Sequence, residues 1–196
     1  MFSPTTGASQ APTLIPAGTL AFANVMVTDL KKSQASGGEY ANIELTLDGG
    51  DFQGRKVFEM VANPLDNNNS EGWRGMAIAN LTRMFEAAGI FKVEQPETYN
   101  QFNGKPFTAI CAALDGARIA IKIKVEKDKS GAYPDKNKVA EYLSPNPQSG
   151  GNKSWEKLLS GNVSAVASAR PSAFGVAATP APASASAPSW LNSPKA

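Results

Sequence analysis

The side chains in this chain best placed to do chemistry are its lysines. Residues 118–138 hold Arg118, Lys122, Lys124, Lys127, Lys129, Lys136 and Lys138, against Glu126, Asp128 and Asp135. Lys122 and Lys124 alternate with Ile119, Ile121, Ile123 and Val125, so on a strand they share the face opposite the isoleucines. By the same period Lys136, Lys138 and Tyr142 share one face of a following strand. Tyr133 falls in the loop between, which Pro134 stiffens. A second group, Phe52, Arg55, Lys56 and Phe58, lies in Gly50–Phe58. Cations attract phosphate, and aromatic rings offer stacking platforms at about 1–3 kcal/mol per base. Interleaved, they suit a single-stranded nucleic acid. A lysine is a point charge with no base-reading fork, so the pattern favours sequence-tolerant binding. The expected phosphate contacts are Arg55, Lys56, Lys122, Lys124, Lys136 and Lys138. The expected stacking rings are Tyr40, Phe52, Tyr133 and Tyr142. Each piece alone has a plainer origin. A lysine-alternating strand is commonly the solvated face of a sheet, Arg55-Lys56 suits an edge-strand guard, and Phe58 fits a core better than a platform.

Other chemistries are excluded or unsupported. The chain has 196 residues and no histidine, which removes Ser-His-Asp and Cys-His nucleophiles and any His-ligated metal. Its one cysteine, Cys111, sits among Ala109, Ile110 and Ala112 and reads as a small core filler. No intrachain disulfide or CxxC motif can form. There is no GxxxxGK[ST] or GxGxxG loop. Asp48, Asp51 and the run Asp66-Asn67-Asn68-Asn69 are explained by turn formation. No cofactor and no catalytic residue is expected, although dispersed carboxylates leave a divalent-metal nuclease open as a third reading. The formal net charge is +2, and 18% of residues are charged, below the roughly 25% of an average protein. The basic character is therefore local. No apolar run is long enough to cross a membrane, and Met1–Thr6 lacks signal-peptide character. A cytoplasmic location is the expectation.

The elements that must position these residues follow from periodicity. Thr19–Leu30, Tyr40–Leu47, Lys56–Val61, Arg118–Val125 and Lys136–Leu143 read as strands. In the second, Ile43, Leu45 and Leu47 oppose Tyr40, Asn42, Glu44 and Thr46. Residues 73–88 switch period, with Trp73, Ala77, Leu81, Phe85 and Ala88 on one helical face, Ile78 and Met84 beside it. Ser70 is the predicted N-cap and Gly89 the C′ residue. A short helix is predicted over Phe107–Leu114. Three strands, a helical insert and two strands is the element order of a five-stranded OB-type Greek-key barrel with a mainly β core. An open α+β sandwich has the same strand and helix count.

The predicted domain covers 19–143. Residues 1–18 read as a flexible arm. Residues 144–196, rich in Pro, Ala and Ser, read as a disordered tail, with a short amphipathic helix around Trp155–Leu159. The tail carries Lys153, Lys157, Arg170 and Lys195 against Glu156. Its apolar tip, Trp190-Leu191, is a candidate docking peptide for a protein partner.

Three segments, GDFQGRKVF (Gly50–Phe58), MAIANLTRMFEAAG (Met76–Gly89) and GAYPDKNKVAEYL (Gly131–Leu143), occur in the order and spacing of a phage-encoded family. The chain resembles single-stranded DNA-binding proteins of phage replication and recombination, a family long catalogued as a domain of unknown function. The resemblance covers roughly 18–145. It implies an OB-like fold, binding of single-stranded DNA without strong sequence preference, and a host-cytoplasmic location. Arg55, Lys56, Tyr133, Lys136 and Lys138 fall on its motif positions. The tail departs from the acidic, aromatic-tipped peptide of cellular single-stranded DNA-binding proteins, since its tip carries no acid. Replication or recombination proteins would be partners of that tail, and an open sheet edge would allow a homo-oligomer. The alternative function is a protein-interaction module that binds a host or phage partner without touching nucleic acid.

Overall fold

Alternating apolar residues and glycine turns build one antiparallel sheet, seen in a computed structural model that describes residues 13–161. The strands are β1 (Leu20–Lys32), β2 (Glu39–Asp48), β3 (Lys56–Ala62), β4 (Arg118–Glu126) and β5 (Lys136–Tyr142). Their order across the sheet is β3-β2-β1-β4-β5. The two ends of that order, β3 and β5, come back into contact, so the sheet curls into an OB-like barrel. Val25, Ile43, Leu45, Val57, Ile119, Ile121 and Ile123 point inward and are buried. Each such side chain contributes about 1.5–3 kcal/mol by leaving water.

The β3–β5 closure has no backbone ladder in the strand pairing. A carboxylate takes its place. Glu59 Oε1 accepts the Val139 amide at 2.7 Å. Its Oε2 receives the Lys138 ammonium at 3.3 Å, which also donates to the Phe58 carbonyl at 2.6 Å. One acidic side chain thus joins two strand edges that would otherwise expose unpaired polar groups.

Between β3 and β4 the chain forms α1 (Glu71–Ala87), a 3-10 turn (Pro96–Asn100) and α2 (Phe107–Leu114). Ser70 Oγ accepts the Trp73 amide and starts α1, and Gly89, at φ 72°, ends it. Ala77, Leu81, Met84 and Phe85 face the barrel. Phe85, Phe91, Phe102 and Tyr99 stack beside them at 4.8–5.9 Å between ring centres. Ile78 turns outward instead. Cys111 is buried in α2, and its burial pushes the thiol up to about 11.

The packed region is wider than the predicted 19–143. Ile15 is buried, and Asn137 grips its backbone like a strand neighbour, accepting its N–H at 2.9 Å and donating to its carbonyl at 2.8 Å. Past β5, Ser144 and Asn146 donate to Glu86, a carboxylate 3% exposed on α1, as does Tyr99. A third helix, α3 (Asn152–Leu159), lays Trp155 edge-on against Phe22 of β1 at 6.1 Å. Composition concealed this because few residues do the anchoring. Residues 13–18 and 144–161 therefore belong to the packed domain and not to an arm or a tail. Trp190 and Leu191 lie outside the described residues. Among the described residues, no helix is long and apolar enough to cross a membrane.

Candidate nucleic-acid interface

On β3, Val57 and Val61 take the inner positions, which leaves Lys56, Phe58 and Met60 facing out. Phe58 is 58% exposed and Met60 55%. The expectation that Phe58 fills the core is corrected. Both faces of β3 carry apolar residues, so its hydrophobic phase is ambiguous until the barrel assigns Val57 inward. Cross-strand from Phe58 is Glu44, and beyond it Met26 of β1, also exposed. Lys56 neutralises the Glu44 carboxylate at 2.8 Å.

Across the seam, β5 presents Lys136 and Lys138. Lys56, Phe58, Lys136, Asn137 and Lys138 together line a groove of about 340 Å³. Lys124 of β4 lies opposite Lys138 in register, and Lys122 opposite Glu141. The face therefore runs from β4 over β5 to β3, with cations on three strands and one open ring among them. The cations are not equivalent. Lys138 is held by Glu59 and is mostly buried. Lys136 meets Glu126 at a loose 3.6 Å, both exposed. Among the described residues, Lys122 and Lys124 make no ion pair.

The β4–β5 loop joins the two strands that carry Lys122, Lys124, Lys136 and Lys138. Asp128 organises it by accepting the Ser130 hydroxyl at 2.5 Å and the Ala132 and Tyr133 amides at 2.9 and 3.1 Å. The Ser130 hydroxyl and the Tyr133 amide hold the Asp128 carboxyl below the usual carboxylate range. Tyr133 itself is 75% exposed at the loop tip.

Three expected site residues are not available at this surface, and a fourth, Tyr40, lies outside the groove. Tyr142 is 5% exposed and lies in the core. Its phenol is pushed far up by burial and by nearby Glu59. The reason is a β-bulge. Lys122 pairs with Glu141 and Ile123 with Val139, so Ala140 is an extra residue and the parity of β5 flips before Tyr142. Phe52 packs against the core from the β2–β3 turn. Arg55 donates to the Thr13 carbonyl at 2.9 Å, which ties down the N-terminal segment. Tyr40 is half-buried on the outer face of β2, tilted against Trp73 at 6.1 Å. Arg118 is used locally too, 3.8 Å over the Phe22 ring and bonded to Asp48.

No family model matches the chain, and no curated protein matches it. Among solved structures it is similar to yeast RPA bound to ssDNA, at a TM-score of 0.28 and 9% identity, over 78% of this chain and 90% of that chain.

Proposed function

We propose that this protein binds single-stranded DNA without strong sequence preference, on the face formed by β4, β5, β3 and the β4–β5 loop. The observation that carries the reading is the groove in which Phe58 lies open among Lys56, Lys136 and Lys138. Lys122, Lys124 and Lys136 take phosphates. Phe58 and Tyr133 stack bases. Lys56 offsets Glu44, which would otherwise repel the strand, and Lys138 holds the platform in place. Strands and loops of an OB barrel are where such modules take oligonucleotides. The resemblance of Gly50–Phe58, Met76–Gly89 and Gly131–Leu143 to a phage-encoded family extends the role to covering strands exposed during phage DNA replication or recombination. Proteins of those processes would meet the segment that carries Trp190-Leu191.

The test is a fluorescence-anisotropy titration of labelled oligo-dT at two salt concentrations, with equal-length duplex as competitor. With about three phosphates neutralised, by Lys122, Lys124 and Lys136, log K falls against log salt with a slope near −2, from about 0.7 per contact. Phe58→Ala weakens binding by roughly 1–3 kcal/mol, the value of one stacked base. No binding at low salt, or a slope near zero, overturns the reading.

A further inference from the structure

The outer face continues past the groove. Phe58, Met60 and Ala62 follow one another along β3, and their cross-strand partners on β2 are Glu44, Asn42 and Tyr40. Tyr40 therefore lies one row beyond Met60 on the same face. Rows of side chains on one face are about 7 Å apart. The Trp73 ring, in the first turn of α1, lies 6.1 Å from the Tyr40 ring. The Ser70 cap on the Trp73 amide fixes where that turn begins and so where the indole sits. Both rings are half-buried and keep part of their surface open. Lys31 is the cross-strand neighbour of Tyr40 on its other side and is bonded to Asp29 at 3.1 Å, with both side chains about half exposed. An exposed pair of this kind is weak and releases its lysine to a phosphate at little cost.

We propose that Tyr40 and Trp73 form a second base-stacking subsite, with Lys31 as its phosphate contact, at the far end of a track that begins at Phe58. The inference rests on the single-strand reading and adds its extent and a binding residue, Trp73, which packs against the core as helical periodicity predicts while part of its ring stays open beside Tyr40. Successive rows from Phe58 past Met60 to Tyr40 are about 7 Å apart, and the Tyr40 and Trp73 ring centres are 6.1 Å apart. Duplex DNA stacks its bases about 3.4 Å apart. A strand on this track is therefore unstacked, each base meeting a protein side chain in place of its neighbour. That spacing rejects duplex and sets a footprint near the lower end of the 4–16 nucleotides an OB fold covers.

The chain has three tryptophans, Trp73, Trp155 and Trp190. In the full chain carrying Trp155→Phe and Trp190→Phe, Trp73 is the sole indole, and Phe keeps an aromatic ring against Phe22. Oligo-dT of about ten nucleotides is titrated while anisotropy of the labelled DNA and indole emission are read together. The expected result is emission quenching that saturates in step with anisotropy. A two-nucleotide probe leaves the indole unquenched, because Phe58 and Tyr133 satisfy it. Trp73→Leu weakens the longer probe roughly 5- to 150-fold and leaves the shorter one unchanged. If Trp73→Leu unfolds, the quenching measurement still decides. Anisotropy that saturates and responds to Phe58→Ala while indole emission stays constant overturns the second subsite and leaves the single-strand reading standing. Absence of any binding at low salt overturns both.

Discussion

Lys124 and Lys138 face each other across β4 and β5, yet their chemistry differs because of what each touches. The Lys138 ammonium is committed to the Glu59 carboxylate and the Phe58 carbonyl. Lys124 is exposed beside it. Lys124→Ala is therefore expected to reduce the salt slope of oligo-dT binding by about 0.7, one phosphate contact, with the thermal midpoint unchanged. Lys138→Ala is expected to leave the slope within error. It lowers the thermal midpoint instead, since a hydrogen bond to a charged group contributes about 1.5–3 kcal/mol. A slope change in the second variant and not the first would reverse the roles. A titration argument belongs at this scale too. Burial and the hydrogen bond to Glu86 raise the Tyr99 phenol from 10.0 to about 12. Below pH 10 the folded and unfolded chains both hold this proton, and the stabilisation is complete. Above pH 10 the unfolded chain loses a proton that the folded chain keeps, so stability declines until the folded phenol ionises near 12. Tyr142 shifts in the same direction. Urea midpoints taken from pH 9 to 12 should fall with rising pH, and Tyr99→Phe should make the decline shallower.

At the scale of elements, periodicity resolved most of the fold. The isoleucines of β4, the alternation of β2 and the Ser70-to-Gly89 frame of α1 are local signals, and the structure follows each within a residue or two. What periodicity missed depends on contacts distant in sequence. The bulge at Ala140 reverses β5 and removes Tyr142 from the surface. The phase of β3, and with it the exposure of Phe58, is decided by which face the barrel needs. The lysine cluster was legible because charge density survives any error of register. The groove was not, because it joins β3 to β5 across roughly 80 residues of sequence. The β1–β2 turn shows the same long-range dependence. Asn69 is buried, with its Nδ2 donating to the Glu39 and Asn63 carbonyls at 2.8 and 3.0 Å. Those bonds lock its side chain over Gly38, where an added Cβ would stand 2.0 Å from Oδ1 and 3.2 Å from the Asn68 backbone. Gly38→Ala is expected to cost about 1–3 kcal/mol, the usual penalty of overpacking, read as a lower urea midpoint. The contrast is Gly75→Ala on α1, which meets nothing within 4 Å and replaces a poor helix former. It should raise the midpoint by up to about 1 kcal/mol.

At the scale of the whole molecule, the barrel depends on chain that looks dispensable by composition. Glu86 is a carboxylate buried on α1, and two of its three side-chain donors, Ser144 and Asn146, follow the last strand. Asn152 extends the hold by donating to the Pro145 carbonyl at 3.0 Å. Trp155 then covers the Phe22 edge of β1. A chain cut after Leu143 keeps every strand but leaves Glu86 with Tyr99 alone. Leaving a buried charge without its partners costs roughly 3 kcal/mol or more, and the lost cover of Phe22 adds to that. A chain ending at Gly161 retains all of these contacts. The expected outcome is that the version ending at 161 matches the full chain in urea midpoint, while the version ending at 143 falls well below it. In a domain of this size each kilocalorie moves the thermal midpoint by about 2–4 °C, so heating should separate the two by roughly 6 °C or more. Restoring Ser144–Asn146 alone should recover the part due to Glu86 and not the part due to Trp155. Glu86→Gln in the shorter version provides the check. If an unpartnered charge causes the loss, the neutral amide should make that version more stable while making the longer version less so. Equal midpoints for cuts at 143 and 161 would mean that the segment rests on the barrel without supporting it.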